Sequence, residues 1–448
     1  MGTDGGIGMT AQALKIMGTP RDKAPEIELR GDPLSGDRYW SREFMEKEWE
    51  RMWTRTWHIG GLVSELPNPG DFITCKLGRE SILISRARDG AIHAFYNFCI
   101  HRGNRLVQTE RGNTPYFRCT YHGWAFDNEG VLRGVQNPED FPGSNPCGKN
   151  KLKEIRCETW GGFVWYNMDE NAPPLAEALD PVYDQLLPYN MDKMVRVLWL
   201  TAEADCNWKI IHDNFNESYH LPTIHPELNT FIEDSYKQCQ FDMYANGHNR
   251  MLMPGGQPAY SSRNCDIPQA PLTDMLAYWD LDPARFEGRA REAREALQQQ
   301  KRKLGPSRGY LHYVDLSDEQ LTDYYHYTLF PNTSLTMSSD GFQVLRPQPH
   351  PTDPEKCIFD HWFFVPVVEG QTTVETPVGP RPVAPAAHEV FRHGDQSLGF
   401  VADQDLSVIP GQQQGLRSRG YTDSLLSGQE ARIRRYHEVL NDYLEGRR

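Results

Sequence analysis

Hydrophobic and polar positions follow two different periodicities along the chain. Between residues 41 and 57 apolar pairs recur with a helical spacing, which predicts a helix capped by Ser41. From Gly60 onward, short β-prone runs are separated by Gly, Asp and Asn turns, a pattern typical of antiparallel strands. The predicted strands cover residues 72–74, 81–84, 92–95, 117–118, 124–126, 131–132 and 163–166. Residues 40–172 are therefore predicted to form a small all-β domain behind an N-terminal segment, residues 1–39.

Longer elements follow Pro173 and Pro174, which mark a predicted boundary. In the second part, residues 173–448, strand-like and helix-like stretches alternate. The predicted elements are a strand over 195–202, a helix over 207–225, a charged Ala-rich helix over 283–303 within a long excursion, residues 226–310, and strands over 327–330, 334–337, 342–345 and 357–365. Ser427 and Glu430 form a capping box, which predicts that a C-terminal helix begins there.

The composition of the 448 residues is that of a globular protein large enough for two or three domains. No apolar run approaches the length of a membrane span, and the first residues do not resemble a secretory signal. A net charge of −14 argues against a nucleic-acid partner. The nine cysteines are scattered and odd in number, which fits a reducing compartment and metal ligation better than a disulfide framework. We therefore expect a cytoplasmic protein without a membrane or nucleic-acid partner.

Two loops between predicted strands each carry one cysteine and one histidine, in the patterns Cys99-x-His101 and Cys119-x-x-His122. Such a set can hold zinc, or a Rieske [2Fe–2S] cluster in which two histidines replace two cysteines on one iron. Zinc fingers usually pair Cys with Cys and His with His, so the mixed loops favour the cluster. A glycine follows in each loop and allows a tight turn whose backbone amides could reach the cluster sulfurs.

The predicted helix over 207–225 combines two histidines with two carboxylates. Asp213, Glu217 and His220 stand at i, i+4 and i+7, so a helix would present them on one face. The proline two residues after His220 predicts a helix end or kink, and a bend there could bring His225 onto the same metal ion. Two histidines and a carboxylate from elsewhere form the facial triad of a mononuclear non-haem Fe(II) site that uses O₂. The alternative is two unrelated surface histidines on an amphipathic helix.

Three segments resemble one protein family, the catalytic α subunits of Rieske non-haem iron oxygenases. FCIHRGNRL and FRCTYHGWAFD resemble its cluster loops, and NWKIIHDNFNESYHLPTIH resembles its iron-binding segment. The resemblance runs from about residue 40 to the C-terminal helix, with the motifs in the expected order. It implies an α+β fold with an N-terminal all-β Rieske domain and a helix-grip catalytic domain. In the latter, a curved antiparallel sheet wraps around a long helix and a hydrophobic pocket.

The resemblance also implies which residues hold the two cofactors. The [2Fe–2S] cluster would be bound by Cys99, His101, Cys119 and His122. The mononuclear Fe(II) would be bound by His220, His225 and Asp405. Asp405 is selected in VADQDLSVIPGQQQGL by counting back from the Gln-x-Gly turn of the family, with Asp403 as runner-up, and Gln404 stands where the family commonly has Glu.

Three further residues near the histidines are candidates for catalytic roles. Glu217 stands where the family more often has Asp, three positions before the first histidine ligand. The resemblance implies that it links His220 to a cluster histidine, His122, of a neighbouring subunit; the alternative is a carboxylate that only orients His220. Asp213 is expected to have a structural role or to support the site rather than to bind the metal, and Asn214 is expected to line the pocket.

The reaction implied by the resemblance is that of a terminal oxygenase. Neither a P-loop nor a dinucleotide-binding motif occurs, so electrons are expected from an external ferredoxin or flavin reductase that uses NAD(P)H. With O₂, the enzyme would mono- or dioxygenate an aromatic or hydrophobic small molecule, as a homotrimer or with a small β subunit. Oxidative O- or N-demethylation and quaternary-amine monooxygenation are alternatives within the family. A non-enzymatic Rieske electron carrier fused to a ligand-binding domain is the alternative from another class.

Overall fold

The computed structural model of the chain describes residues 23–448. These residues fold as two units. The first comprises Glu46–Ala178 with Pro349–Asp353, and the second comprises residues 23–45, Leu179–Gln348 and Pro354–Arg448. The start of the predicted N-terminal segment, residues 1–22, lies outside the described range.

The first unit is an antiparallel β structure, as its short β-prone runs predict. Its strands are β1 (His58–Leu62), β2 (Asp71–Leu77), β3 (Glu80–Arg86), β4 (Ile92–Tyr96), β5 (Arg111–Asn113), β6 (Phe117–Arg118), β7 (Ala125–Phe126), β8 (Leu132–Gly134), β9 (Glu154–Trp160) and β10 (Phe163–Asn167). Seven form one sheet in the order β1-β10-β9-β4-β3-β2-β5, and β6, β7 and β8 form a second. Gly161 and Gly162, at φ 62° and 81°, supply the left-handed backbone that the two-residue turn between β9 and β10 requires.

The second unit is built on one large sheet. Its strands are β11 (Met194–Ala204), β12 (Gln240–Met243), β13 (Asn249–Met253), β14 (Tyr324–Leu329), β15 (Thr333–Ser338), β16 (Gly341–Pro349), β17 (Cys357–Pro366), β18 (Thr373–Thr376), β19 (Gly379–Pro382) and β20 (Glu389–Arg392). Eight of them form a curled antiparallel half-barrel in the order β12-β13-β14-β15-β16-β17-β11-β20, in which β20 joins β11 in parallel. β18 and β19 form a separate hairpin.

Most helices of the described chain belong to this second unit, whereas Leu175–Ala178 belongs to the first. The α-helices of the described chain are α1 (Arg42–Glu48), α2 (Leu175–Ala178), α3 (Val182–Gln185), α4 (Trp208–Asn214), α5 (Leu221–Ile224), α6 (Leu272–Tyr278), α7 (Ala293–Leu304), α8 (Phe400–Leu416) and α9 (Ala431–Leu444). From α9, Arg432 reaches Asn249 on β13 and His326 on β14, so this helix lies across the inner face of the sheet. The α+β class expected from the sequence is confirmed. None of the helices in residues 23–448 has the length and apolar character that a bilayer crossing requires.

Three predicted helices have different limits in the structure. The first ends as an α-helix at Glu48 and continues as one wider turn, Trp49–Trp53. The excursion helix begins only at Ala293, because Pro283–Phe286 is a 3₁₀ turn and Gly288 follows at φ +77°. The predicted helix over 207–225 is two short helices, described with the site below. The capping box of Ser427 and Glu430 is confirmed and opens a 3₁₀ turn that leads into α9.

Candidate metal centres

The two Cys–His loops of the first unit have the same backbone hydrogen bonds. In the loop after β4, the Cys99 amide donates to Asn104 O at 2.8 Å, and the Gly103 amide donates back to Cys99 O at 2.9 Å. Between β6 and β7, the Cys119 amide donates to Trp124 O at 2.8 Å, and the glycine four residues after that cysteine repeats the second bond at 2.9 Å. Each glycine has a positive φ of about 70°, which favours glycine at this turn. The two loops therefore share one backbone conformation around their cysteine residues.

The four candidate cluster ligands divide into a buried pair and a more exposed pair. Cys99 and Cys119 are 2% and 3% exposed and belong to one apolar core cluster. His101 is exposed and His122 is partly buried, and their ring centroids are 4.6 Å apart. His101 also stacks on Trp124 at 4.5 Å, which fixes the plane of its ring.

Hydrogen-bond donors surround the sulfur of Cys119. Burial alone would raise the pKa of this thiol, but the amides of Tyr121 and His122 and the side chain of Asn104 lower it overall. Asn104 Nδ2 lies 3.6 Å from the Cys119 Sγ. The pKa of Cys99 is raised, chiefly by burial, although its sulfur also receives backbone amides. Donors of this kind stabilise the thiolate form, which is the form that binds metals.

The arrangement of these ligands distinguishes a cluster from a single zinc ion. Within residues 23–448, one set of three or more His, Cys, Asp and Glu places its ligand atoms within 4.8 Å of one another, and it contains neither loop. A tetrahedral zinc would require all four ligand atoms of the two loops around one point. A buried pair of thiols and a more exposed pair of imidazoles on matching loops would suit a Rieske cluster, in which two histidines replace two cysteines on one iron. The residues therefore fit the [2Fe–2S] group.

The single-ion set lies in the second unit and is His220, His225 and Asp405. His225 Nε2 is 2.7 Å and His220 Nε2 is 3.4 Å from Asp405 Oδ1. The other oxygen of Asp405 is buried and has no hydrogen-bond partner among residues 23–448. Two imidazole nitrogens and an unsatisfied carboxylate at one point are the donor set of a mononuclear non-haem iron site. The residues therefore fit Fe(II) as well.

The backbone turns sharply to bring the two histidines together. α4 begins at the N-cap Asn207, whose side chain accepts the Lys209 amide at 3.0 Å, and ends at Asn214. His220 follows in a turn and caps the four-residue helix α5, and His225 ends it. The prediction that Asp213, Glu217 and His220 share one helix face is thus wrong, because the chain leaves the helix before Glu217. The break precedes His220, whereas the sequence placed it after that residue.

Two oxygens orient the histidine rings from the side opposite Asp405. Glu217 Oε1 lies 2.5 Å from His220 Nδ1, and Gln404 Oε1 lies 2.7 Å from His225 Nδ1. Each oxygen accepts the Nδ1 proton, so the Nε2 lone pair is free to face the metal. Sequence reasoning noted Gln404 as a departure from the family but assigned it no function. The position of Gln404 directly before the candidate ligand Asp405 was the sequence signal that indicated a function.

The two aspartates that the sequence offered as third ligand both lie on helix α8, but they have different partners. Asp403 accepts from Leu398 N at 2.9 Å and from Ser397 Oγ at 2.5 Å, so it caps the segment before the helix. Asp405 points to the histidines. The expected Gln-x-Gly turn is instead part of α8, which continues through Pro410. Gln413 Oε1 accepts the amide of Asn207 at 2.8 Å and thereby holds α8 against the start of α4.

The two remaining candidates near α4 have different surroundings. Asp213 is buried away from the triad, where Tyr39 Oη donates to it at 2.7 Å and His437 Nε2 at 3.0 Å. These contacts place it in a structural network between α4 and α9. Asn214 ends α4, and its side-chain nitrogen is buried without an acceptor among the described residues. Phe215 beside it stacks on Phe359 of β17 at 5.8 Å.

Comparisons with known proteins match both units. A family model described as ring hydroxylating alpha subunit (catalytic domain) matches residues 191–446, and the Rieske [2Fe-2S] domain model matches residues 56–145. The glycine betaine monooxygenase oxygenase subunit of Pseudomonas aeruginosa (strain UCBPP-PA14) is 31% identical over 192 residues, 42% of this chain and 44% of that protein. The large oxygenase component of the naphthalene 1,2-dioxygenase system of Pseudomonas putida is 36% identical over 191 residues, 41% of this chain and 42% of that protein.

Structural similarity extends over almost the whole chain. A solved quaternary ammonium Rieske monooxygenase superposes with a TM-score of 0.65 at 19% identity and covers 92% of this chain and 95% of that one. The sequence matches to the two curated relatives, in contrast, span less than half the length of either relative. The shared fold is therefore far more extensive than the shared sequence.

Proposed function

The chain belongs to the family of Rieske ring-hydroxylating oxygenase α subunits, and we propose that it is the terminal component that oxygenates an aromatic or other hydrophobic small molecule with O₂. The two cofactors expected from the sequence, the Rieske cluster and the mononuclear iron, are confirmed by the family matches. The observation that carries the proposed activity is the convergence of His220, His225 and Asp405 in the same chain as the two Cys–His loops.

When bound, the cluster passes single electrons and the Fe(II) ion activates O₂. The side chains of this protein provide orientation and charge for that chemistry. Two neutral imidazoles and one carboxylate leave a divalent ion with a single net positive charge. His225 and Asp405 are only 1% and 2% exposed, so bulk water is excluded from that side of the site. Glu217 and Gln404 hold the rings so that little reorientation is needed during turnover.

We assign Glu217 a second role, as the link between His220 and the partner subunit's His122. The support is its position: its side chain is 9% exposed and that of His220 is 18% exposed, so this edge of the triad is nearer to solvent than His225. One oxygen of Glu217 holds the ring of His220 and the other accepts the His220 amide at 3.1 Å. Such a link requires an assembly of several copies, for which we propose a head-to-tail trimer, with or without a small β subunit.

The electron donor in this proposal is an external ferredoxin or flavin reductase that uses NAD(P)H. It would dock at the surface formed by His101, His122 and the exposed Tyr121. We place the protein in the cytoplasm, because none of the nine cysteines forms a disulfide and a reducing compartment keeps thiols reduced.

Quaternary-amine oxidation is a second candidate function, and its only support is the activity named for some related proteins. A quaternary ammonium group would need an aromatic cage. An aromatic cluster that contains Trp279 and Tyr313 already receives the cation of Lys301 at 5.7 and 5.6 Å from the two ring centroids. This cluster therefore offers no open cage, and we favour an aromatic or hydrophobic substrate.

The proposed function is tested by iron content and turnover in matched variants. After anaerobic reconstitution, the protein should contain about three irons per chain, two in the cluster and one mononuclear. Asp405→Ala should retain about two and Asp403→Ala about three. A wild-type content of two irons, or turnover by Asp405→Ala, would contradict the proposal and support the electron-carrier alternative or a different ligand set.

Turnover is measured with a surrogate reductase, O₂ and a panel of arenes, aromatic acids and methoxyarenes, with product analysis by mass spectrometry. Glu217→Gln should keep both metal centres, because the amide oxygen still accepts from His220, but its reductant-dependent product formation should fall by at least tenfold. Normal turnover in this variant would remove the linking role of Glu217 and leave only ring orientation.

A further inference from the structure

His326 lies on the face of β14 that is turned towards the triad segment. Across the sheet it pairs with Met251 of β13, which shares an apolar cluster with Leu221, the residue directly after the first histidine of the triad. Thr328, two residues further on the same face, donates to Asn216 Oδ1 at 2.9 Å in the turn before that histidine. The inner face of β14 near His326 therefore packs against the segment that carries the two histidines of the triad.

Arg432 of α9 determines which nitrogen of His326 carries the proton. Its Nη2 lies 3.2 Å from His326 Nδ1 and 3.2 Å from His326 O. A guanidinium can only donate hydrogen bonds, so Nδ1 accepts and the proton resides on Nε2. Burial, followed by the charge of Arg432, lowers the pKa of His326 well below its usual value, so the ring is neutral. His326 is consequently a neutral N–H donor in a fixed orientation.

This donor has no acceptor within residues 23–448. His326 Nε2 is fully buried without a hydrogen-bond partner, as is Nη1 of the adjacent Arg432. Both atoms are donors, and Met251, which lies opposite His326 on the sheet, has only a thioether and is a poor acceptor. Leaving a buried donor unpaired is unfavourable, so an acceptor from outside the protein is favoured there.

The charge of Arg432 determines which kind of hydrogen-bond acceptor is favoured next to His326. The hydrogen-bond partners of Arg432 are Asn249, His326 and Thr328, and all are neutral. Burial lowers the pKa of Arg432 to about 9, so the guanidinium is still charged near neutral pH. The carboxylates of Glu217 and Asp242 raise the pKa of Arg432 in part, but neither forms a hydrogen bond with it. A desolvated cation whose hydrogen-bond partners are all neutral attracts an oxygen with partial or full negative charge and repels a second cation.

We propose that His326 Nε2–H is a specificity-determining donor that binds a carbonyl or carboxylate oxygen of the substrate, with Arg432 as the positioning residue that fixes its tautomer. This inference rests on the proposed function, because that function places a substrate beside the triad. It narrows the substrate class to hydrophobic molecules with an acceptor oxygen and excludes those whose buried end is a quaternary ammonium group.

The test compares three probes of similar size on the iron-loaded protein by calorimetric titration: acetophenone, ethylbenzene and phenyltrimethylammonium. Acetophenone should bind at least about tenfold more tightly than ethylbenzene, the effect of one buried hydrogen bond. Phenyltrimethylammonium should bind most weakly. His326→Leu should remove the preference for acetophenone without weakening ethylbenzene, whereas His326→Gln, which keeps an N–H donor, should restore part of it. Arg432→Met should also lose the preference and should bind the cationic probe relatively better.

Several outcomes would overturn the inference. They are equal binding of acetophenone and ethylbenzene, no binding of acetophenone, tightest binding of the cationic probe, or an unchanged preference in His326→Leu. These binding ratios need no turnover. A protein that shows the preference but fails the iron and product assays refutes the proposed function alone, and one that turns over hydrocarbons without the preference refutes this inference alone.

Discussion

At the scale of single residues, the two histidines of the triad are oriented by groups of different charge. The carboxylate of Glu217 holds His220, which is 18% exposed, and the neutral amide of Gln404 holds His225, which is 1% exposed. A second carboxylate beside Asp405 at the buried end would place two desolvated negative charges close together, which is costly. An amide oxygen orients the ring without that cost. This explains physically why glutamine is suited to position 404.

Gln404 is therefore expected to contribute to iron affinity. Gln404→Leu leaves His225 Nδ1–H without an acceptor and should weaken Fe(II) binding by about 10- to 100-fold, the usual effect of removing such a partner. Gln404→Glu keeps an acceptor and should retain most of the affinity. The measurement is Fe(II) titration into protein that already carries its cluster. Asp403→Asn is the matched control, since Asp403 caps the segment before α8, and an equal loss there would show that the effect arises from helix stability.

At the scale of elements, periodicity located twelve strands of the described chain but missed eight, and it predicted the triad segment poorly. The missed strands are β1, β5, β9, β12, β13, β18, β19 and β20. The helix over 207–225 breaks because Asn216 Nδ2 donates to His212 O at 2.8 Å and Glu217 Oε2 accepts the His220 amide at 3.1 Å. Such bonds between side chains and backbone compete with helix formation, and hydrophobic spacing does not reveal them. Two ligands could be found from local spacing, but Asp405 lies 180 positions from His225 and was found only through the resemblance.

The buried hydrogen bonds of Asp213 indicate that this residue helps to hold α4 against α9. Asp213 stays charged, since burial would raise its pKa but His437 and Tyr39 lower it overall. Asp213→Ala would leave both donors unpaired in the interior, so we expect the free energy of unfolding to fall by about 3 kcal/mol. Asp213→Asn should lose less, because its oxygen still accepts. Urea unfolding of the variants measures this.

Iron content decides between a structural and a catalytic role for the same residue. Folded Asp213→Ala should keep its mononuclear iron, because Asp213 bonds Tyr39 and His437 rather than the triad. Selective loss of that iron at unchanged stability would instead place Asp213 among the residues that support the metal.

At the scale of the whole molecule, the described chain buries several histidines in neutral form. Burial lowers the pKa of His212 to about 3 and that of His361 to about 4, and it lowers the pKa of His326 and His437 as well. In an unfolded chain each of these rings would titrate near its ordinary value of about 6.5. Below that pH the unfolded state binds more protons than the folded state, so acid favours unfolding.

The contribution of a single buried histidine to this acid sensitivity can be tested at His361. Its pKa is about 4 in the folded protein against an ordinary 6.5, chiefly because of burial, so its contribution is fully present above pH 6.5 and is lost as the pH falls towards 4. Full loss amounts to about 3 kcal/mol, at about 1.4 kcal/mol per pH unit. His361→Gln cannot bind that proton but can still donate towards Leu398 O, the partner of Nδ1 at 2.6 Å. Urea unfolding at pH 8, 7, 6 and 5 should therefore show a shallower acid loss in the variant, with the two proteins differing by a constant amount between pH 8 and 7. Parallel curves down to pH 5 would show that His361 is protonated equally in both states and that other buried groups set the acid limit.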